Sequence, residues 1–174
     1  FACGGARRQA RADDSRRRKE DWMSCAAIMT KDPLTLNVDE SVGAAAAKLI
    51  GHQFISLPVV DAEGRYAGMF GIYDLLSMLV PRVALAGNLL PNLRFISDDP
   101  AELRKRYLEL KSRRVGDAAD RSASTLKPDT PEIEAIRLFC QSHSSLAVVE
   151  PQTHKVVGVI SCWDAIKAIS GAQK

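Results

Sequence analysis

With 174 residues, 46% hydrophobic and 26% charged, the chain has room for one domain of ordinary size or two very small ones, with ordinary globular composition. No apolar run approaches the ~18 residues of a membrane span, and the N-terminus lacks the apolar segment of a secretory signal; the cytoplasm is the expected compartment. The net charge of +3 sits in residues 1–22, with seven Lys/Arg against four Asp/Glu, while the rest holds 17 of each sign, so a general attraction of the folded part to nucleic acid is unsupported.

Residues 1–22 form a basic leader with Arg16, Arg17, Arg18 and Lys19 in a row. It offers almost nothing to bury, so disorder or a loosely held helix is expected. A basic arm for RNA, DNA or an acidic partner is the alternative. Cys3, Cys25, Cys140 and Cys162 lie far apart without C-x-x-C spacing, which argues against metal ligation and a disulfide framework. Cys140 and Cys162 sit in apolar contexts and are expected to act as small hydrophobes. His52, His143 and His154 share no metal-ligand spacing and read as surface turn or helix-end residues.

After the leader the chain repeats itself at an offset of 90: Met29 matches Ala119, Thr35-Leu36 matches Thr125-Leu126, and Asp39, Ala45, Gly68 and Asp74 match Asp129, Ala135, Gly158 and Asp164. Leu57 to Asp61 matches Leu146 to Glu150 at 89, one residue being lost before that strand and regained in the following turn. Each copy opens on a short extended piece, around Thr35 or Thr125. A helix follows. Val42, Ala45, Ala46, Leu49 and Ile50 supply its apolar face in the first copy, and Ala135, Ile136, Phe139 and Cys140 in the second. Thr130 and Pro131 suit the start of the second copy's helix. Strands are expected at 55–60 and 146–149; Pro58 lacks an N–H and suggests an edge or strand-start position. Second strands are expected at 66–70 and 156–160, and final helices start near Asp74 and Asp164. The order is β-α-β-β-α, twice, an α/β (α+β) fold. Residues 23–80 and 115–174 hold the two copies. The connector, 81–114, carries a helix beginning D-x-x-E at Asp99-Pro100-Ala101-Glu102. Its apolar stripe is Leu103, Tyr107 and Leu110. Arg104, Lys105, Arg106, Lys111, Arg113 and Arg114 form either a solvated face or a surface for phosphate or nucleic acid.

These residues resemble the cystathionine β-synthase (CBS) domain family. The first copy has Met29-Thr30, Pro33-Leu34-Thr35-Leu36, Leu57-Pro58-Val59-Val60-Asp61 and Gly68-Met69-Phe70-Gly71-Ile72-Tyr73-Asp74. The second has Val115-Gly116-Asp117 and ends Gly158-Val159-Ile160-Ser161-Cys162-Trp163-Asp164. The resemblance implies a Bateman module: two CBS copies related by a pseudo-twofold axis, with clefts between them. In that family the clefts take AMP, ADP, ATP or S-adenosylmethionine and pass a signal to a partner. It also implies a homodimer, paired through final-helix residues Leu75, Leu76, Leu79, Val80, Ala165, Ile166 and Ile169. The regulated protein is unknown from the sequence. No catalytic constellation or required cofactor is apparent, and a non-catalytic role is expected.

A nucleoside offers a flat base, a 2′,3′-diol and a phosphate. A carboxylate can accept from both ribose hydroxyls, and a helix start with a hydroxyl suits phosphate. By resemblance, Asp164 would hold ribose and Ser161 would face phosphate, with the base near Thr35, Ile55 and Pro58 of the other copy; Asp74 and Thr125 are the matching positions. Ser161-x-x-Asp164 is also a capping arrangement that needs no ligand, and both readings stay open. The first copy departs from the pattern, with Gly71 in place of the hydroxyl residue. Neither copy has His or Arg at the entry to the 55–60 or 146–149 strand, where Ile55-Ser56 and Ser144-Ser145 stand. One functional site around Asp164 is expected rather than two, and tight binding of a triphosphate is not. The expected function is sensing of an adenine nucleotide or adenosyl ligand. The alternatives are a ligand-free interaction module, and a nucleic-acid binder using leader and connector.

Overall fold

The computed structural model describes residues 24–80, 99–142 and 144–171. The basic leader, residues 81–98 of the connector and His143 lie outside the described residues. In chain order the elements are α1 (Cys25–Ile28), β1 (Thr30–Lys31), β2 (Leu36–Asn37), α2 (Val42–His52), β3 (Ser56–Val60), β4 (Tyr66–Gly71) and α3 (Ile72–Leu79). They continue with α4 (Pro100–Leu110), a 3-10 turn at Val115–Asp117, β5 (Thr125–Leu126), α5 (Glu132–Ser142), β6 (Leu146–Val149), β7 (Val156–Ile160) and α6 (Cys162–Ser170). The mixed α/β class and the doubled β-α-β-β-α order match the sequence reading.

Two compact units emerge, and they do not follow the sequence ranges of the repeats. Among the described residues, one holds 34–80 and 99–123; the other joins 24–33 to 124–142 and 144–171. In the first unit the sheet order is β2-β3-β4; in the second it is β1-β7-β6-β5. Each lead-in is exchanged. Thr30 and Lys31 pair antiparallel with Val159 and Gly158 of β7. At the matching place in the first unit, Asp120 and Met69 exchange both backbone hydrogen bonds, at 3.0 and 2.7 Å. Thus the lead-in of each repeat closes the sheet built from the other.

The cores are built from matching residues. Leu36, Ala45, Leu57, Val59, Phe70 and Val115 pack in the first unit; Leu126, Ala135, Leu146, Val148, Ile160 and Cys25 take their places in the second. The Cys25 thiol is pushed up to about 11, first by burial and then by Glu132 and Asp129, so this buried cysteine behaves as a small hydrophobe. Cys140 and Cys162, expected in that role, are exposed instead. The apolar helix faces are also narrower than the periodicity suggested: Ile50 is 67% exposed, and α5 buries Ala135 and Leu138. Ala45 and Ala46, both buried, let α2 sit close to its sheet, so the outer positions of a wide stripe stay in water.

Pro58 corrects another expectation. Its strand is central, parallel to β2 on one side and antiparallel to β4 on the other. Met69, opposite Pro58, sends both its N–H and its C=O away to Asp120, so Pro58 and Met69 form a non-hydrogen-bonded pair. Pairing with β2 begins only at Val59, opposite Leu36. The missing N–H is therefore not missed on either side.

The connector helix α4 has no buried residue. Asp99 caps it, its Oδ1 accepting from the Ala101 N–H at 2.9 Å. Four contacts fix it to the first unit. Tyr107 packs on the core. The Arg106 guanidinium donates to the Leu79 carbonyl at 3.1 Å. The carbonyls of Lys111 and Arg113 accept from the Gly43 and Val42 N–H groups, both at 2.8 Å, closing the amides left open at the α2 N-terminus. Among the described residues no helix is long and apolar enough to cross a membrane.

Candidate functional site

Parallel β5–β6 pairing and antiparallel β6–β7 pairing put the starts of β5 and β6 and the end of β7 at one end of the sheet. Thr125, exposed at the start of β5, shares that end with Ser161 and Asp164. Matching strand directions do the same in the first unit for Thr35, Ile55, Gly71 and Asp74. The sequence-derived site residues therefore divide between the units: Asp164, Ser161 and Thr125 in one, Thr35, Ile55, Pro58 and Asp74 in the other. Pro58 is fully buried, whereas Ile55 is 37% exposed and Thr35 half-buried; of these, Ile55 has the apolar surface a base would need.

At the second-unit junction Ser161 is the N-cap of α6 and Asp164 its third residue. The Asp164 N–H donates to Ser161 Oγ at 3.2 Å. Asp164 Oδ2 accepts from the Ser161 N–H at 2.9 Å and from its hydroxyl at 2.7 Å. This is a capping box, so the capping reading holds for this pair. It uses one carboxylate oxygen; Oδ1 takes no hydrogen bond among the described residues. Both residues are part-exposed, and Oδ1 has two lone pairs to offer a diol.

The first-unit junction differs. Asp74 Oδ2 accepts from the Gly71 N–H at 2.7 Å, half of a capping box with no hydroxyl. The strand ladder runs one rung further, to Ser56 opposite Gly71, whereas in the second unit it stops at Leu146 opposite Ile160. A Cβ on Gly71 would lie 2.5 Å from the Ile55 carbonyl oxygen and 2.7 Å from Ser56 Cβ, so the backbone occupies the space a serine there would need. The same Ile55 carbonyl accepts from the Ile72 N–H at 2.8 Å, closing the helix start. Burial pushes the Asp74 carboxyl above the usual carboxylate range and Asp120 adds to it, against the lowering effect of the Gly71 N–H. Tyr66, at the start of β4, is pushed up to about 12, first by burial and then by Asp120; its hydroxyl is buried without a hydrogen-bond partner among the described residues.

Asp120 was not among the expected site residues. It belongs to the second repeat in sequence and reaches Asp74 only because the lead-ins are exchanged. Tyr73 and Trp163 were also passed over. They precede the two aspartates at the repeat offset and stand 68% and 67% exposed; two aromatics on polar helix starts were the signal. His52 and His154 are exposed. Among the described residues no group of three or more His, Cys, Asp or Glu is placed to hold a metal ion.

Two β-α-β-β-α units, each ending in an aspartate-capped β–α junction, define a tandem-repeat module. The profile of the CBS domain matches residues 25–81 and 115–171, and the chain belongs to the CBS domain family. Among solved structures, it is similar to the CBS-pair protein CBSX2 from Arabidopsis thaliana, with a TM-score of 0.68, 21% identity, and 85% of this chain and 94% of that one covered. CBSX2 in complex with AMP matches with a TM-score of 0.63 and 21% identity over 87% of this chain and 98% of that one. Protein MJ1225 from Methanocaldococcus jannaschii matches with a TM-score of 0.65 and 19% identity over 90% of this chain and 52% of that one. No curated protein sequence is similar enough to count as a relative.

Proposed function

We propose that this chain is a non-catalytic regulatory module that senses an adenine nucleotide or adenosyl ligand at the β7–α6 junction. The observation that carries the proposal is the state of Asp164. The cap occupies one of its carboxylate oxygens, and the other is free to accept from a ribose diol beside a part-exposed helix start. The AMP bound by CBSX2 supports the ligand class. Ser161 faces the phosphate and Thr125, at the same end of the sheet, flanks it. With Ser144 and Ser145, and no His or Arg, in the two places directly before β6, AMP or ADP suits the site better than ATP. The Asp74 junction, lacking the hydroxyl and raised in pKa beside a second acid, does not contribute a second site of equal affinity.

Thermal denaturation with AMP, ADP, ATP and S-adenosylmethionine, each at millimolar concentration, tests the reading. At least one adenine compound should raise the melting temperature, by RT ln(1 + [L]/Kd) in free energy. If none does, the module has kept the fold and its caps without the ligand, and protein interaction is its function.

Homodimerisation belongs to the same proposal. The final helices expose matching pairs, Tyr73 with Leu76 and Trp163 with Ile166, and Ile169 is 62% exposed beside them. Aromatic and aliphatic residues spaced i, i+3 on two helices form apolar stripes of the kind that subunit interfaces cover. Sedimentation should give a dimer at micromolar concentration, and Trp163→Glu should give a monomer. A monomeric parent protein would remove the proposal.

A further inference from the structure

Charge in this chain is segregated. The connector, residues 81–114, holds eight Lys/Arg against four Asp/Glu, so the two repeats, 23–80 and 115–174, carry the compensating excess of acid. Within the connector, Arg106 is engaged by Glu102 and Arg114 by Asp39. Arg104, Lys105, Lys111 and Arg113 have no ion-pair partner among the described residues, and all four are exposed. Arg104, Lys105 and Lys111 stand at minus four, minus three and plus three from Leu108, and so surround it on one side of the helix. Leu108 is 50% exposed, while its neighbour Tyr107 packs on the core. The backbone bonds from Lys111 and Arg113 to the start of α2 keep this surface on a fixed mount.

We infer that the outward face of α4, with Leu108 ringed by Arg104, Lys105 and Lys111, is a docking site for an acidic polypeptide segment that carries an apolar side chain. Unpaired cations call for an anionic partner. The leucine at their centre selects among anions. A nucleic acid would be read with phosphate contacts and stacked bases, and this face carries cations around an aliphatic side chain with no aromatic to stack on. A peptide supplies both the carboxylates and an apolar residue. This surface shares no residue with the β7–α6 junction, and its test uses no nucleotide.

The experiment titrates the full chain, at low ionic strength, against labelled probes: a peptide alternating glutamate pairs with leucine, an all-glutamate peptide, a single-stranded oligonucleotide and phosphatidylserine vesicles. The leucine-containing peptide should bind best. The double variant Arg104→Glu with Lys105→Glu should weaken it about tenfold or more. Leu108→Ser should weaken that peptide and leave the all-glutamate peptide unchanged. Since α4 contributes no buried residue, these variants fold. Unchanged peptide binding in the charge variant, equal binding of the two peptides, tighter binding of the oligonucleotide or the vesicles, or no binding of either peptide would each overturn the proposal.

Discussion

The two β–α junctions are copies of one another, yet one is shut and the other is open. In the first unit the ladder runs on to Gly71, the Ile55 carbonyl covers the place of a side chain there, and Asp74 is half-buried beside a second acid. In the second unit the ladder ends one rung earlier, and Ser161 and Asp164 form a complete, part-exposed capping box. At both places the aspartate accepts from the N–H of the cap residue, a structural task independent of any ligand. What separates the junctions is the cap residue, a buried Gly71 against a part-exposed Ser161 with its hydroxyl, so any ligand function has to be looked for in that difference.

The glycines that let the lead-ins approach should show the largest asymmetry. Gly68 has φ +149° and a Cβ there would lie 2.9 Å from the Asp120 carbonyl oxygen, so Gly68→Ala combines backbone strain with a clash against main chain. A loss of about 2–4 kcal/mol is expected in denaturant unfolding. Gly158 has no such φ, and its neighbour is the flexible Met29 side chain, so Gly158→Ala should cost about 1 kcal/mol. Equal losses would show that the two lead-ins are held alike.

The next effect concerns the hydroxyl itself. Gly71→Ser, which writes the second junction into the first, should destabilise by about 1–3 kcal/mol by overpacking and should not create a second binding site. Ser161→Ala should cost about 1 kcal/mol through the lost cap. A stable Gly71→Ser protein with doubled nucleotide capacity would mean that the first junction was closed by the residue type alone.

The smallest effect is one of pH. The Asp74 carboxyl is raised in the folded state, first by burial, so the folded protein holds that proton more tightly than the unfolded chain. Its contribution is fully present below the unfolded value and is lost as pH rises through the folded value. Asp74→Asn keeps an acceptor for the Gly71 N–H and removes the charge. Its melting temperature should lie slightly above that of the parent at neutral pH, and the gap should close as pH falls below the ordinary carboxylate range. A lower melting temperature at neutral pH would contradict the assignment.

Much of this was legible in the sequence, for a simple reason. Apolar periodicity and the offset of 90 record which residues face a core, and both cores are made of matched positions such as Leu36 and Leu126, or Val59 and Val148. The exchange of the lead-ins was not legible, because swapping equivalent segments between two copies leaves every offset unchanged. The Asp120–Asp74 proximity was hidden with it. Pro58 misled because proline reports a missing N–H without saying which neighbour that N–H would have faced. At the site, the S-x-x-D and G-x-x-D spacings located both junctions, but the reason for Gly71 lay in the backbone of Ile55 and Ser56, which no spacing records.

The account rests on one competent junction per chain, and calorimetry of AMP or ADP with Asp164→Ala and Asp74→Ala tests it most directly. The parent protein should bind one nucleotide per chain. Asp164→Ala should lose that binding about ten- to a hundredfold, the worth of a charge-assisted contact of roughly 1.5–3 kcal/mol, while Asp74→Ala should bind nearly as the parent does. Two equal sites, or binding that survives Asp164→Ala and falls with Asp74→Ala, would contradict it.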